Sequence, residues 1–343
     1  MKQPKYLFNP GRMSRQDNTL KFTPVDEEGR EGQPRFLPIE QVGDLYVFGS
    51  LDANSALYNF LGQEGIAVHF FNYYEHYTGS FMPREYLLAG KMQVDQTKHY
   101  LSAKKRIEIA RRFVEGAANN ILRVLKYYEN RTRSTVDCAD ATLSEAVLTV
   151  ERLLAAVPLA TDIPMLMGIE GNIRQTYYDT FDAIVGATFC LEGRSKRPPK
   201  NELNALISFG NMLCYTACLS TIYHTQLNPT ISFLHEPGAR RYSLALDIAE
   251  VFKPILVDRL IFRMINKRQL QPSDFRVEIG GCVMREAARK RFVQGFDEQL
   301  KETIKHRVLG RSVSYRHLIK LECYKLQKHL LGVEEYRPFK AWW

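Results

Sequence analysis

What this sequence lacks removes several chemistries at once. Its 343 residues include six cysteines, at positions 138, 190, 214, 218, 282 and 323, and no two stand in a C-x-x-C spacing. A thiolate zinc site and a dithiol redox motif are therefore not expected. Cys214 and Cys218, four residues apart in apolar sequence, read as one helix face. None of the six has an evident base partner, which argues against thiol catalysis. No run approaches 18 consecutive apolar residues, and the opening MKQPKYLFNPGRMSRQD has no apolar signal core. The expectation is a soluble, cytoplasmic chain with no membrane partner. Acidic residues are the scarcer charge, 38 against 47 Lys and Arg, for a net charge of +9. An excess of that size attracts polyanions without specifying one.

The length and a hydrophobic share of 45% suit two domains with a sizeable core. Residues 1–92 read as a small β domain. Lys5–Phe8 and Thr19–Phe22 flank the turn-rich NPGRMSRQDN in a hairpin-like arrangement. Arg35–Ile39 and Asp44–Phe48 follow, and Asp52 is placed to cap a short helix. In GIAVHFFNYYEHYTGSF the alternation predicts a strand that turns near Glu75 and returns, with His69 packed mid-strand. From residue 93 the period becomes 3.6. Ser102 is placed to cap a long helix with a stripe at Ile107, Ala110, Val114, Ala117, Ile121, Leu125 and Tyr128. Helical patterns recur at 142–156, 163–188, 202–226, 243–266, 284–306 and 313–331. The fold class is α+β: an N-terminal β domain, then a larger all-α domain.

Two stretches concentrate chemistry. FLHEPGARRYSLALDIAEVFKP (233–254) sets His235 and Glu236 on a Pro-Gly turn, then Arg240 and Arg241, then a helix bearing Asp247 and Glu250. Asp247, Glu250 and Asp258 fall within about 80° of one another at 100° per residue, on the edge of an apolar stripe. Pro254 lacks an N–H and crowds the Glu250 carbonyl, so the helix should bend or loosen there. An ordinary acidic helix start would account for the same residues. DIPMLMGIEGNIRQTYYDTF (162–181) sets Glu170 between Gly168 and Gly171. Each glycine costs about 1 kcal/mol relative to alanine in a helix, so close approach of a second backbone or of a nucleic-acid strand is expected there. Arg174, four residues on, shares the face of Glu170. A simple i,i+4 ion pair explains the charges but not the glycines.

GIEGNIR, FLHEP and LDIAEVFKP occur in that order, with VHFFNYYEHYTGSFMPRE before them and EEYRPFKAWW at the end. In these the chain resembles the CRISPR-associated integrase family that acquires new spacers, the endonuclease subunit of the adaptation complex. The resemblance implies that Glu170, His235 and Glu250 bind the catalytic metal, with Glu250 at a position often held by aspartate. It implies that Asp247 stands behind them or at a second metal, and that Arg174 and Tyr215 lie by the DNA. It also implies a homodimer working with a small companion protein in a prokaryotic cytoplasm.

Two carboxylates and one imidazole suit Mg²⁺ or Mn²⁺. The implied reaction is attack of a short DNA's 3′-hydroxyl on a repeat phosphodiester, or hydrolysis when water attacks. The alternatives are a structure-selective nuclease on branched DNA and a non-catalytic DNA-binding scaffold. Basic residues for backbone contact are sought first at Arg240–Arg241, then in RSKRPPK (194–200) and REAARKR (285–291).

Overall fold

Alternation of side chains builds the first unit. In the computed structural model the described residues are 2–84, 87, 89–133, 141–186, 188–195, 198–238, 242–278, 281–306 and 309–342. The chain divides into two units, Met1–Tyr86 and Leu87–Trp343. The first holds β1 (Gln3–Leu7), β2 (Gly11–Gln16), β3 (Thr19–Pro24), β4 (Arg35–Pro38), β5 (Val42–Val47), β6 (Leu51–Asp52), α1 (Ser55–Gln63), β7 (Val68–Phe71) and β8 (Tyr77–Phe81). They form two four-stranded sheets, in the orders β1-β5-β7-β8 and β4-β3-β2-β6. Leu20, Val42, Leu45, Leu57, Ile66 and Val68 fill the core between them.

Three local expectations change here. The stretch between the first two expected strands is itself strand β2, paired antiparallel with β3, while β1 runs parallel to β5 in the other sheet. Asp17, at φ 53°, turns β2 into β3 with Asn18, the left-handed conformation that Asp and Asn tolerate. The cap of α1 is Asn54, whose side chain accepts the Leu57 N–H at 3.0 Å, and not Asp52. The strand that turns near Glu75 and returns is β7–β8. His69 is fully buried in it, its Nδ1 2.6 Å from Ser80 Oγ.

The second unit contains α2 (Gly90–Leu101), α3 (Ala103–Arg133), α4 (Ala141–Ala156), α5 (Ile163–Tyr178), α6 (Phe181–Val185), α7 (Glu202–Tyr223), α8 (Ser243–Lys253), α9 (Arg259–Asn266), α10 (Glu286–Lys301) and α11 (Tyr315–Leu330). It also carries two short antiparallel ribbons, β9 (Phe275–Glu278) with β10 (Gly281–Met284), and β11 (Thr303–Lys305) with β12 (Ser312–Ser314). It is thus mostly helical rather than purely so: strands of three and four residues give too short a period to read against helices on either side. Helix α7 is long and apolar enough to cross a membrane by length and composition, but 72% of its most apolar window is buried inside the protein. It is the core helix of this unit, packed against α8 and α11.

The C-terminal segment lies across α3 and α8. A Cβ on Gly116 of α3 would meet Pro338 at 2.8 Å, so the segment lies close only because that position is glycine. Phe339 stacks on Phe252 of α8 with ring centroids 5.4 Å apart. Trp342 Nε1 donates to the Lys305 carbonyl at 3.0 Å. Trp343 is outside the described residues.

Candidate functional site

Glu170 and Arg174 stand one turn apart on α5. That helix starts at Asp162, whose side chain accepts the Met165 N–H at 2.8 Å, with Pro164 in the first turn where no donor is needed. Arg174 is nine-tenths buried. Its Nε donates to Glu170 Oε1 at 3.4 Å, and its Nη2 donates to Glu250 Oε2 and, at 3.3 Å, to the Glu250 carbonyl. One guanidinium therefore bridges two carboxylates that lie eighty residues apart in the sequence.

The Glu250 carbonyl is available because residue 254 is proline and brings no N–H to it. Beyond it the helix widens into a π turn, Pro254–Asp258, the loosening expected from the sequence. The next carbonyl, that of Val251, accepts a bond from Asn120 Nδ2 of α3 at 2.7 Å. The break in α8 thus supplies two carbonyls by which α5 and α3 hold it. Lys253 Nζ donates to the other oxygen of Glu250, Oε1.

His235 is fixed from behind. Its Nδ1 lies 2.8 Å from Asp247 Oδ1. The same oxygen accepts the His235 N–H at 3.0 Å, and Asp247 Oδ2 accepts the N–H groups of Phe233 and Leu234 at 2.7 and 3.0 Å. With Asp247 accepting, the Nδ1 proton is on the inner side and Nε2 is left with its lone pair. The loop is held elsewhere too. Ser232 Oγ donates to the His235 carbonyl at 2.6 Å. Arg106 of α3 donates to the Phe233 carbonyl at 2.9 Å and to Glu236 at 2.6 Å. Gln96 of α2 exchanges bonds with Asn228 at 2.9 Å and donates to the Ile231 carbonyl at 2.7 Å.

Electrostatics tie the three side chains together. Burial pushes the Glu170 carboxyl up, and the Glu250 charge pushes it further. Burial would also raise Glu250, but the Lys253 ammonium and Arg174 guanidinium outweigh it and hold that carboxyl well below the usual range. Burial alone would lower His235; the hydrogen bond and charge of Asp247 overcome that and raise it. The His235 charge lowers both glutamates.

Several sequence expectations are corrected by this geometry. Of the two places expected for Asp247, at a second metal or behind the ligands, the structure gives the second: it is fully buried and its oxygens are occupied by the 233–235 loop. Arg174 is enclosed between carboxylates and is not a DNA-backbone contact in this arrangement. Among the described residues, no group of three or more His, Cys, Asp and Glu stands ready to hold a metal ion, so the expected three-ligand cradle is not preassembled. Glu250 is instead paired with Arg174 and Lys253. The donor chemistry nonetheless fits a divalent cation: two carboxylates and an oriented imidazole sense one another, and the Arg174 guanidinium stands between the carboxylates where such a cation's charge would act.

Gly168 and Gly171 are both exposed, and a Cβ built on either meets nothing within 4 Å. Among the described residues no other segment approaches either glycine, so a close contact with a second described backbone is not their reason. Tyr215 lies half-buried on α7. Arg240 and Arg241 are outside the described residues. Arg194 is turned inward, donating to Asn204 Oδ1 at 2.8 Å and Ser208 Oγ at 3.0 Å. In REAARKR, Arg291 pairs with Asp274 at 2.6 Å and Lys290 with Glu286. Sequence reasoning missed Lys253, although its i+3 spacing from Glu250 was visible, and Asn120, a polar residue beside the α3 stripe whose burial is the only signal.

The chain matches the family described as CRISPR associated protein Cas1 over residues 5–298. It is 46% identical over 338 residues to a CRISPR-associated endonuclease Cas1 of Thermodesulfovibrio yellowstonii, covering 98% of this chain and 99% of that protein. A solved structure of a CAS1 protein from Thermotoga maritima is 39% identical, with a TM-score of 0.83, covering 98% of this chain and all of that one. A casposase bound to integration product shares the fold at 17% identity, with a TM-score of 0.85 and coverage of 99% and 93%.

Proposed function

This chain belongs to the Cas1 family of CRISPR-associated proteins and is an endonuclease of that family; from this premise, we propose that Glu170, His235 and Glu250 carry its chemistry, with Mg²⁺ or Mn²⁺ as the cofactor. The observation that carries the assignment is the Arg174 bridge. Glu170 Oε1 and Glu250 Oε2 are drawn to one guanidinium, so two carboxylates of like charge already share one cation's charge, and beside them an imidazole is oriented by a buried aspartate.

Each residue has a task in this reading. Glu170 and Glu250 supply carboxylate oxygens and His235 supplies Nε2 to the ion, which when bound neutralises charge on the phosphate and lowers the pKa of the attacking hydroxyl. Asp247 keeps the imidazole in the tautomer whose Nε2 is free to coordinate. Arg106, Gln96 and Ser232 fix the loop that carries it. The open surface at Gly168 and Gly171 lets a DNA strand pass close to Glu170.

The substrate is double-stranded DNA with single-stranded ends or branches, and the reaction is spacer insertion into a CRISPR array by 3′-hydroxyl attack on a repeat phosphodiester. The family setting also supports a homodimer, with the β-sheet unit as its dimerisation element, and a small companion protein of the adaptation complex, in a prokaryotic cytoplasm. The test is product analysis on a supercoiled plasmid carrying a repeat, with a short DNA supplied. Strands joined to the short DNA support integration; nicks alone reduce the activity to a nuclease acting on branched or nicked DNA.

A further inference from the structure

Arg174 spends two of its nitrogens on Glu170 and Glu250. The third, Nη1, is buried and has no acceptor among the described residues. The same holds for one atom each of Asp258 and Tyr177, two groups that feel the Arg174 charge. Asp258 is 1% exposed, yet among the described residues its Oδ2 has no donor and the Tyr177 hydroxyl has no partner. Tyr177 follows Arg174 by three residues on α5, and Asp258 ends the π turn that begins at Pro254. Burial pushes the Asp258 carboxyl up, and the Arg174 guanidinium is the foremost charge pulling it back down. A buried donor and a buried acceptor of opposite charge, each unsatisfied, is an expensive arrangement.

A divalent cation on Glu250 and a guanidinium on the same carboxylate repel one another. Arg174, enclosed in the protein, cannot shed its charge or leave it unpaired without a penalty of several kcal/mol. It needs a second carboxylate within the protein. Lys253, its side chain 13% exposed, stays on the other oxygen of Glu250 at the end of a flexible unbranched arm.

We propose that Arg174 is an exchangeable stand-in for the metal: when a divalent cation takes Glu170 and Glu250, the guanidinium turns from Glu250 to Asp258, with the Tyr177 hydroxyl as its neighbour. Asp258 is thus a positioning residue for metal loading. The unsatisfied atoms mark the second of two positions of one side chain, and the π turn places the receiving carboxylate two turns beyond the one released.

This inference rests on the metal reading of the site. It is tested by calorimetric titration of the whole protein with Mn²⁺, without DNA. Asp258→Asn should weaken Mn²⁺ binding at least about fivefold, because the displaced guanidinium loses its acceptor, and Arg174→Gln should tighten it by a similar factor, the low end of ordinary coupling between sites. The double variant should bind like Arg174→Gln, the Asp258 effect vanishing with its partner. Wild-type affinity in both single variants overturns the exchange. Glu170→Gln separates the two ideas: if it binds Mn²⁺ as wild type does, the metal reading itself fails. Should Asp258→Asn or Arg174→Gln melt early, Mg²⁺ titration of wild-type protein carrying ¹⁵N-arginine decides, and an Arg174 side-chain resonance that does not move overturns the proposal.

Discussion

His235 Nδ1 and Asp247 Oδ1 lie 2.8 Å apart, and the same carboxylate accepts three backbone N–H groups from residues 233–235. One buried side chain thus shapes the loop and sets the tautomer of its imidazole. Asp247→Asn puts an NH₂ where Asp247 now only accepts. The expected result is a loss of about 1–3 kcal/mol in stability together with a 10- to 100-fold loss in metal affinity or activity, as is usual for a partner behind a ligand. Thermal melts and Mn²⁺ calorimetry read the two separately; a stability loss with unchanged metal affinity would confine Asp247 to a structural role.

Glu170→Gln and His235→Ala should each cut cleavage and integration by more than about 100-fold, beyond what loss of a supporting partner costs. DNA affinity and melting temperature should stay near wild type, because the proposed ligands are not phosphate contacts and a chain carrying +9 has other cations for the DNA backbone. Gel-shift and plasmid assays on the same preparations check this, and DNA binding lost in step with activity would count against the ligand roles. Chelation with EDTA should reproduce the activity loss in wild type.

Asp258 gives a pH signature. Burial first, and then the Glu250 charge, push its carboxyl up to about 7 from 3.8, while the cations of Arg174 and Lys253 oppose them. A folded-state value above the unfolded one means that the folded chain holds the proton more tightly. The stability contributed is full below the unfolded value of 3.8 and is lost as pH rises through about 7. Wild type should lose up to about 4 kcal/mol through this group across that window, and Asp258→Asn should lack that slope. Urea melts at half-unit steps from pH 4 to 8 measure the difference, and parallel curves would refute it.

Asn120 is fully buried and ties three segments together: its amide donates to the Val251 and Phe339 carbonyls and accepts the Ala341 N–H. Asn120→Ala leaves three buried polar groups without partners, so a loss of about 3 kcal/mol is expected. Denaturant unfolding gives the number. Because Val251 adjoins Glu250, activity should fall more than the folded fraction does.

DNA affinity should fall steeply with salt and depend little on sequence. For duplex DNA the log–log slope is about −0.9 per neutralised phosphate, and several contacts are expected from a chain carrying +9. Fluorescence anisotropy between 50 and 200 mM salt measures it. A flat response would remove the polyanion argument.

The sequence alone determined what depends on short range. Periods of two and then 3.6 located the β-sheet and helical units, because side-chain direction repeats locally along each element. Pro254 foretold a loosened α8, since the missing N–H is a property of that residue. The ordered motifs around Glu170, His235 and Glu250 singled out these residues as candidates through their resemblance to the family. Long-range partners were not legible. That Arg174 would be enclosed between Glu170 and Glu250 rather than facing DNA, that Asp247 would be buried beneath His235, and that Lys253 and Asn120 would complete α8 all follow from burial. A charge in water can stand alone, whereas a buried one must find its partner wherever the fold brings another element within reach. That choice belongs to the packing of α3, α5 and α8, and only the tertiary structure makes it.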